Sequence, residues 1–193
     1  MPHAPSAALD VTITQLPALP FGYPVVLKVL SSEFIHKSDV GGVTLGIPDA
    51  PALLAAIAIM RKRLPQAQRV LVQPMIAGLV EVLIGYRVDP DVGPLVMVAV
   101  GGIYTEIYRD RSLRLAPVDA DTAHDMISEV RGLKVLTGYR GKPVGDIAAL
   151  AQAIAALSRL AAAPVVMEAE VNPLIVHPQG KGVVAIDAVV RMK

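Results

Sequence analysis

The stretch EAEVNPLIVHPQGKGVVAIDA, residues 168–188, reads as two apolar strands around a turn, with three oxygen-bearing side chains set into them. Proline and glycine in PQGKG mark the turn between the apolar runs LIV and VVAI. With the turn centred between Gln179 and Gly180, the numbers of opposing residues add to 359, which puts Asn172 directly across from Asp187. Directly opposed residues of an antiparallel pair share a face, with Cβ atoms about 4.5–5.5 Å apart. Glu170, two residues before Asn172, points the same way because strand side chains alternate. Two carboxylates crowded on an apolar hairpin repel and are costly to bury, so the arrangement calls for a cation. Mg²⁺ suits it, as a hard ion held by one or two carboxylates and an amide oxygen, with phosphates and water completing the shell. A solvated polar face on an edge hairpin has the same spacing, and a slip of one residue in register removes the juxtaposition.

A second stretch, VVLKVLSSEFIHKSDVGGVTLGI at residues 25–47, sets Lys28 inside a continuously apolar strand. An ammonium there is expensive unless it meets an anion, or unless its stem reaches along the strand end to water. Phosphate is the anion that the following loop suggests. Lys37 and the backbone amides near Gly41 and Gly42 could hold one, since glycine lets the backbone approach closely. His36, in the same loop, is either a surface histidine or an imidazole placed to take a phosphoryl group. Glu81 opens a later strand of alternating character, either as a surface carboxylate or as an acceptor for ribose hydroxyls. Gly101-Gly102 reads as the turn of a hairpin between VMVAV and IYTEI.

The bulk numbers bound what surrounds these sites. The chain has 193 residues, is 53% hydrophobic and 4% aromatic, and lacks Trp, so its core is aliphatic helix-on-sheet packing. With 18 basic and 17 acidic residues interspersed and a net charge of +1, there is no basic stripe for nucleic acid. No apolar run reaches the roughly 18 residues of a membrane span, and the N-terminus has no signal-peptide pattern. The absence of cysteine excludes disulfides and thiolate metal sites, which fits a cytoplasmic protein.

The chain divides near residue 75. Residues 1–21, with four prolines in the first 20, read as an irregular lead-in rich in proline and alanine. Residues 22–75 give a β-β-α-β lobe whose helix starts at Asp49 with Pro51 just inside. Residues 76–193 give successive strands, a helix over 119–130, an Ala-rich helix over 146–162 and the closing hairpin. The class is mixed α/β (α+β).

Four segments, GYPVVLKVLSSEFIHKSDVGGV (22–43), GPLVMVAVGGIYTEIYRDRSLRLAPV (93–118), GYRGKPVGD (138–146) and the closing hairpin, resemble the ATP-grasp domain of NDP-forming acyl-CoA synthetases. The resemblance runs from residue 22 to 190 and includes the ADP-forming acetyl-CoA synthetase β subunit, with a more distant likeness to succinyl-CoA synthetase. It implies a two-lobed ATP-grasp fold with the N-terminal lobe truncated. It also implies that Lys28 binds nucleotide phosphates, that Glu81 contacts the nucleotide, and that Asn172 and Asp187 hold Mg²⁺. His36 sits where the acetyl-CoA synthetase branch carries a phosphohistidine, which would relay phosphoryl between ATP or ADP and a CoA-binding, phosphohistidine-bearing partner domain or subunit. Pro74 stands where the family usually has a glutamate at the adenine hinge, and Glu170 replaces the commoner aspartate. An apolar surface left by a missing partner would favour a homo-oligomer. The alternative is a regulatory or degenerate nucleotide-binding module.

Overall fold

A computed structural model of the chain describes residues 1–31, 37, 39–102 and 110–193. It divides into two compact units, one of residues Ala4–Ile76 and the other of Met1–His3 with Ala77–Lys193. His36 lies outside the described residues, as does the IYTEIY segment at 103–108.

The smaller unit is an antiparallel sheet with one helix on it. Its strands are β1 (Ala7–Asp10), β2 (Val25–Leu30), β3 (Val43–Ile47) and β4 (Arg69–Pro74), in the order β1-β4-β2-β3. Helix α1 (Ala50–Arg63) starts where Asp49 accepts the Ala52 N–H at 2.9 Å, with a proline in the first turn. Leu53, Ile57 and Met60 fall at helical spacing and pack with Val25, Leu27, Val29, Val70 and Val72, all buried. Full burial of each such side chain contributes about 2 kcal/mol.

The expected irregular lead-in needs correction. Ala7–Asp10 pairs antiparallel with Arg69–Val72, and Leu9 and Val11 belong to the core. Four residues among prolines carry no periodic signal of their own. They become a strand because β4 offers them an open edge far along the chain.

The larger unit is a six-stranded antiparallel sheet. It contains β5 (Val80–Asp89), β6 (Gly93–Val100), β7 (Arg111–Leu115), β8 (Val166–Val176), β9 (Val183–Ala185) and β10 (Ala188–Met192). The order is β10-β8-β5-β6-β7, with β9 also on β8. Helices α2 (Ala120–Glu129) and α3 (Ile147–Ser158) contribute Ala123, Met126, Leu150 and Ile154 to a core with Val82, Ile84, Val96, Val98 and Leu174. Because strand side chains alternate, the residues between these point to the opposite face of the sheet.

The hairpin expected across Gly101-Gly102 is also corrected. β6 pairs with β5 on one side and with Arg111–Leu115 on the other, in the register Leu95 to Leu115 and Ala99 to Arg111. A local Gly-Gly signal proposes a turn but cannot choose the partner. Among the described residues, no helix is long and apolar enough to cross a membrane.

Candidate functional site

The closing hairpin positions the acidic residues through its backbone. The pairs Val176 to Val183, Leu174 to Ala185, Val171 to Ala188 and Glu170 to Val189 all add to 359, the register reckoned from the turn. At the corresponding place, the Asn172 N–H donates to the Asp187 carbonyl at 3.0 Å, and Ile186 N–H donates to the Pro173 carbonyl at 3.0 Å. On its other side β8 bulges here, because Val82 pairs with Leu174 but Ile84 already pairs with Val171. A bulge bends its strand and re-aims the extra side chain. Asn172 Nδ2 donates to Glu170 Oε1 at 3.2 Å, which leaves the amide oxygen free of that contact. Asp187 Oδ1 accepts the Ala188 N–H at 3.0 Å.

Glu170, Asn172 and Asp187 are each half-buried. Their donors are two carboxylates and an amide oxygen, a hard and purely oxygen set. Among the described residues, no three or more His, Cys, Asp or Glu side chains group to hold a metal ion by themselves. A set with two carboxylates fits an ion that takes the rest of its shell from phosphate and water.

Glu170 also belongs to the sheet face turned away from α2 and α3. There Gly85, Arg87, Leu95, Met97, Arg111, Leu113 and Glu168 join it around a cleft of about 190 Å³. Gly85 sits between Met97 and Glu170 as their cross-strand partner, so a missing side chain deepens the middle of the cleft. Arg191 bridges Glu168 at 3.1 Å beside it. The sequence reading missed Gly85, Arg111 and Glu168, since only the placement of the helices shows which face stays open.

Glu81 is exposed and opens β5. Its carbonyl accepts the Gly101 N–H at 2.7 Å. A Cβ at Gly101 would lie 2.9 Å from the Glu81 carbonyl carbon and 3.0 Å from the Val82 nitrogen. Those are backbone atoms, so glycine is needed for close approach rather than as a hairpin turn. Gly101→Ala is expected to cost about 2 kcal/mol by overpacking, read from the urea midpoint. An unshifted midpoint would mean that the two strands separate freely.

In the smaller unit, Lys28 is only 5% exposed and pairs with Leu71 and Val43 in mid-sheet. Leu27 and Val29 point to the core with α1, so Lys28 lies on the other face. Its face and burial fit a strand lysine that is not at the sheet's edge. Gly41 has φ +66°, a left-handed conformation, and its carbonyl accepts from Arg63 Nη1 at 3.2 Å. Gly42, the other glycine of the expected phosphate loop, donates its N–H to the Lys37 carbonyl at 2.7 Å, and its carbonyl accepts from the Val29 N–H at 2.8 Å, which closes the loop. Pro74 ends β4 opposite Val25.

One buried carboxylate escaped the sequence reading. Asp146 caps α3 by accepting the Ala149 N–H at 3.1 Å, and its second oxygen accepts the Gly182 N–H at 2.8 Å, 36 residues away. The Gly182 bond first, then the Ala149 and Gly180 amides, hold its pKa below the ordinary 3.8. The same loop is fixed by Gln179 N–H on the Val144 carbonyl at 2.9 Å. The turn that sets the hairpin register is therefore clamped at its tip.

A family model described as the ATP-grasp domain matches residues 8–192. An ADP-forming acetate–CoA ligase I of Archaeoglobus fulgidus is 40% identical over 169 residues, 84% of this chain and 25% of that protein. The subunit beta of the ADP-forming acetate–CoA ligase I of Pyrococcus furiosus is 38% identical over 86% of this chain and 74% of that one. The chain thus spans about a quarter of the single-chain relative and three quarters of the subunit. Among solved structures, the dinucleotide forming acetyl-coenzyme A synthetase 1 of Ca. Korarchaeum cryptofilum, in complex with coenzyme A and Ca-AMPCP, superposes with TM-score 0.86 at 33% identity. It covers 100% of this chain and 86% of its own. A complex of that enzyme with coenzyme A and Mg-AMPPCP gives 0.80.

Proposed function

The chain belongs to the ATP-grasp domain family, and on that footing we propose that it is the nucleotide-binding part of an ADP-forming acyl-CoA synthetase. The observation that carries the reading is the register of the closing hairpin, which brings Asn172 beside Asp187 and Glu170 at the bulge. Such an oxygen set has little structural use in an apolar hairpin. It matches a cation that is shared with a polyphosphate.

In this reading Lys28 neutralises nucleotide phosphates and Glu81 accepts from the ribose. Glu170, Asn172 and Asp187 would hold Mg²⁺, which when bound supplies charge neutralisation for the transferring phosphoryl group. The His36 nitrogen attacks phosphorus on a phosphohistidine of a CoA-binding partner domain or subunit, whose imidazole leaves. A terminal oxygen of ADP then attacks phosphorus on His36, releasing the imidazole and forming ATP. Summed with acyl transfer on the partner, acyl-CoA, ADP and phosphate become carboxylic acid, CoA and ATP.

Pro74 and the engaged amide of Gly42 favour a second reading, a nucleotide-binding module without the full reaction. Calorimetric titration with ADP and ATP, with and without Mg²⁺, tests the first. Saturable binding that requires Mg²⁺ and weakens at least tenfold in Asp187→Ala is expected, following the usual cost of losing one charged ligand. No binding at millimolar nucleotide would sink it.

A further inference from the structure

Strand β10 forms an edge of the larger sheet. It pairs with β8, and among the described residues no other strand or bridge meets it. Two bonds to β8 fix the orientation of its backbone. The Asp187 carbonyl accepts the Asn172 N–H at 3.0 Å, and the Lys193 N–H donates to the Val165 carbonyl at 2.9 Å. Neighbouring residues of a strand turn their polar groups to opposite edges, so Ala188, Val190 and Met192 turn theirs away from β8. The register shift between Arg191 and Met192 skips Met167 on β8, so β10 itself stays regular. Asp187 Oδ1 takes the Ala188 N–H. The outward groups are therefore the N–H of Val190 and of Met192 and the carbonyls of all three residues.

The side chains of the same three residues are apolar and uncovered. Val171 lies in the core with α2 and α3, and Ala169 is buried, yet their partners across the pair, Ala188 and Val190, are exposed. Val190 is 58% exposed and Met192 65%. Edge strands are commonly guarded by charge, by proline or by a covering segment. The one charge within β10, Arg191, lies on the opposite face and bridges to Glu168 at 3.1 Å. Earlier along the same edge there is a cover, since His3 pairs with Ala185 and the Pro2 carbonyl accepts the Ala185 N–H. No described bridge continues that cover to Ala188.

We propose that this edge is the interface of a symmetric dimer, in which β10 pairs antiparallel with β10 of a second copy of the chain. Self-complementarity selects both the occupant and the register. With Val190 on the two-fold axis, the two Val190 residues exchange N–H and carbonyl, and each Met192 N–H meets the second copy's Ala188 carbonyl. Valine then faces valine and methionine faces alanine, while on the other side of the sheet Arg191 faces Val189. No like charges are opposed. A slip of two residues one way would set Arg191 against itself. A slip the other way would carry Met192 to Ile186, beside the stretch that Met1–His3 already covers. One short strand pair is a small interface, so the dimer is reversible on dilution. The inference is independent of the nucleotide and metal readings.

Analytical sedimentation of the full chain tests it. The parent is expected to pass from monomer to dimer between about 1 and 500 μM. Amide exchange at Val190 and Met192 should slow as the dimer fills, while the N–H groups turned to β8 exchange unchanged. Val190→Lys sets an ammonium against its own symmetry mate and should weaken association at least about a hundredfold, as should Val190→Glu. Mixed in equal amounts, these two variants should dimerise again, because lysine then faces glutamate. Val190→Thr, β-branched and uncharged, should stay within about threefold of the parent. A parent that is monomeric over the whole range overturns the proposal. So does a Val190→Lys protein that dimerises as well as the parent, or a folded lysine and glutamate pair that stays monomeric when mixed. If circular dichroism shows either variant unfolded, the parent decides alone: exchange at Val190 and Met192 that ignores concentration overturns the interface.

Discussion

Lys28→Met is expected to weaken ADP and ATP binding by about one hundredfold while leaving the urea midpoint within about 1 kcal/mol of the parent. The first figure is what charge-assisted hydrogen bonds to phosphate contribute, about 1.5–3 kcal/mol. The second follows from geometry. Methionine keeps the length and most of the volume of lysine, and such swaps cost little in a packed sheet. Lys28 is 5% exposed on the sheet face away from α1, so the substitution leaves the helix-packed core intact. Its neighbour Leu27 is the contrasting control. Fully buried and pointing into that core, Leu27→Ala should lose about 3 kcal/mol of stability and leave the affinity of the remaining folded protein near normal. Calorimetry beside urea denaturation separates the two signatures. Parental nucleotide affinity in a folded Lys28→Met would assign the lysine to the fold instead of the phosphates.

How much of this was legible beforehand depends on the range of each interaction. Helix α1 was readable because Asp49, a proline and Leu53, Ile57 and Met60 all sit within one helical stretch. The hairpin register was readable because a turn of few residues fixes every pair beyond it, and the pairs from Val176–Val183 to Arg191–Glu168 keep the same sum. β1 was not, since the edge of β4 that it pairs with lies some sixty residues on. Nor was the partner of β6, because Gly101 proposes a turn while its closest contact is the backbone of Glu81, twenty residues earlier. The cleft around Gly85 could not be read either. Alternation identifies two faces of a sheet, but only α2 and α3 decide which of them stays open.

Asp146→Ala is expected to be the most destabilising polar substitution in the larger unit, at about 3 kcal/mol. The carboxylate has two separate tasks. As the cap of α3 it satisfies the Ala149 N–H, and losing such a cap costs about 1 kcal/mol. Its other oxygen satisfies the Gly182 N–H, and stranding a donor inside the fold costs about 1–3 kcal/mol more. Asp146→Asn keeps one acceptor oxygen and should lose less, about 1 kcal/mol. The pH dependence fixes the charge's share. These amides, Gly182 foremost, depress the pKa of Asp146 in the folded protein below the ordinary 3.8. The unfolded chain therefore binds the proton more readily, and the carboxylate's contribution is complete above the unfolded pKa of about 3.9. It is lost as pH falls through the lower folded value. The stability gap between parent and Asp146→Asn should accordingly be constant from neutral pH down to about 4 and close below it. Urea titrations across that range measure the gap directly. A gap that does not change between neutral and acid pH would assign the effect to shape alone. Because Gly182 leads straight into β9 and on to Asp187, Asp146→Ala should also blunt the Mg²⁺ dependence of nucleotide binding, which Asp146→Asn with its remaining acceptor should largely keep.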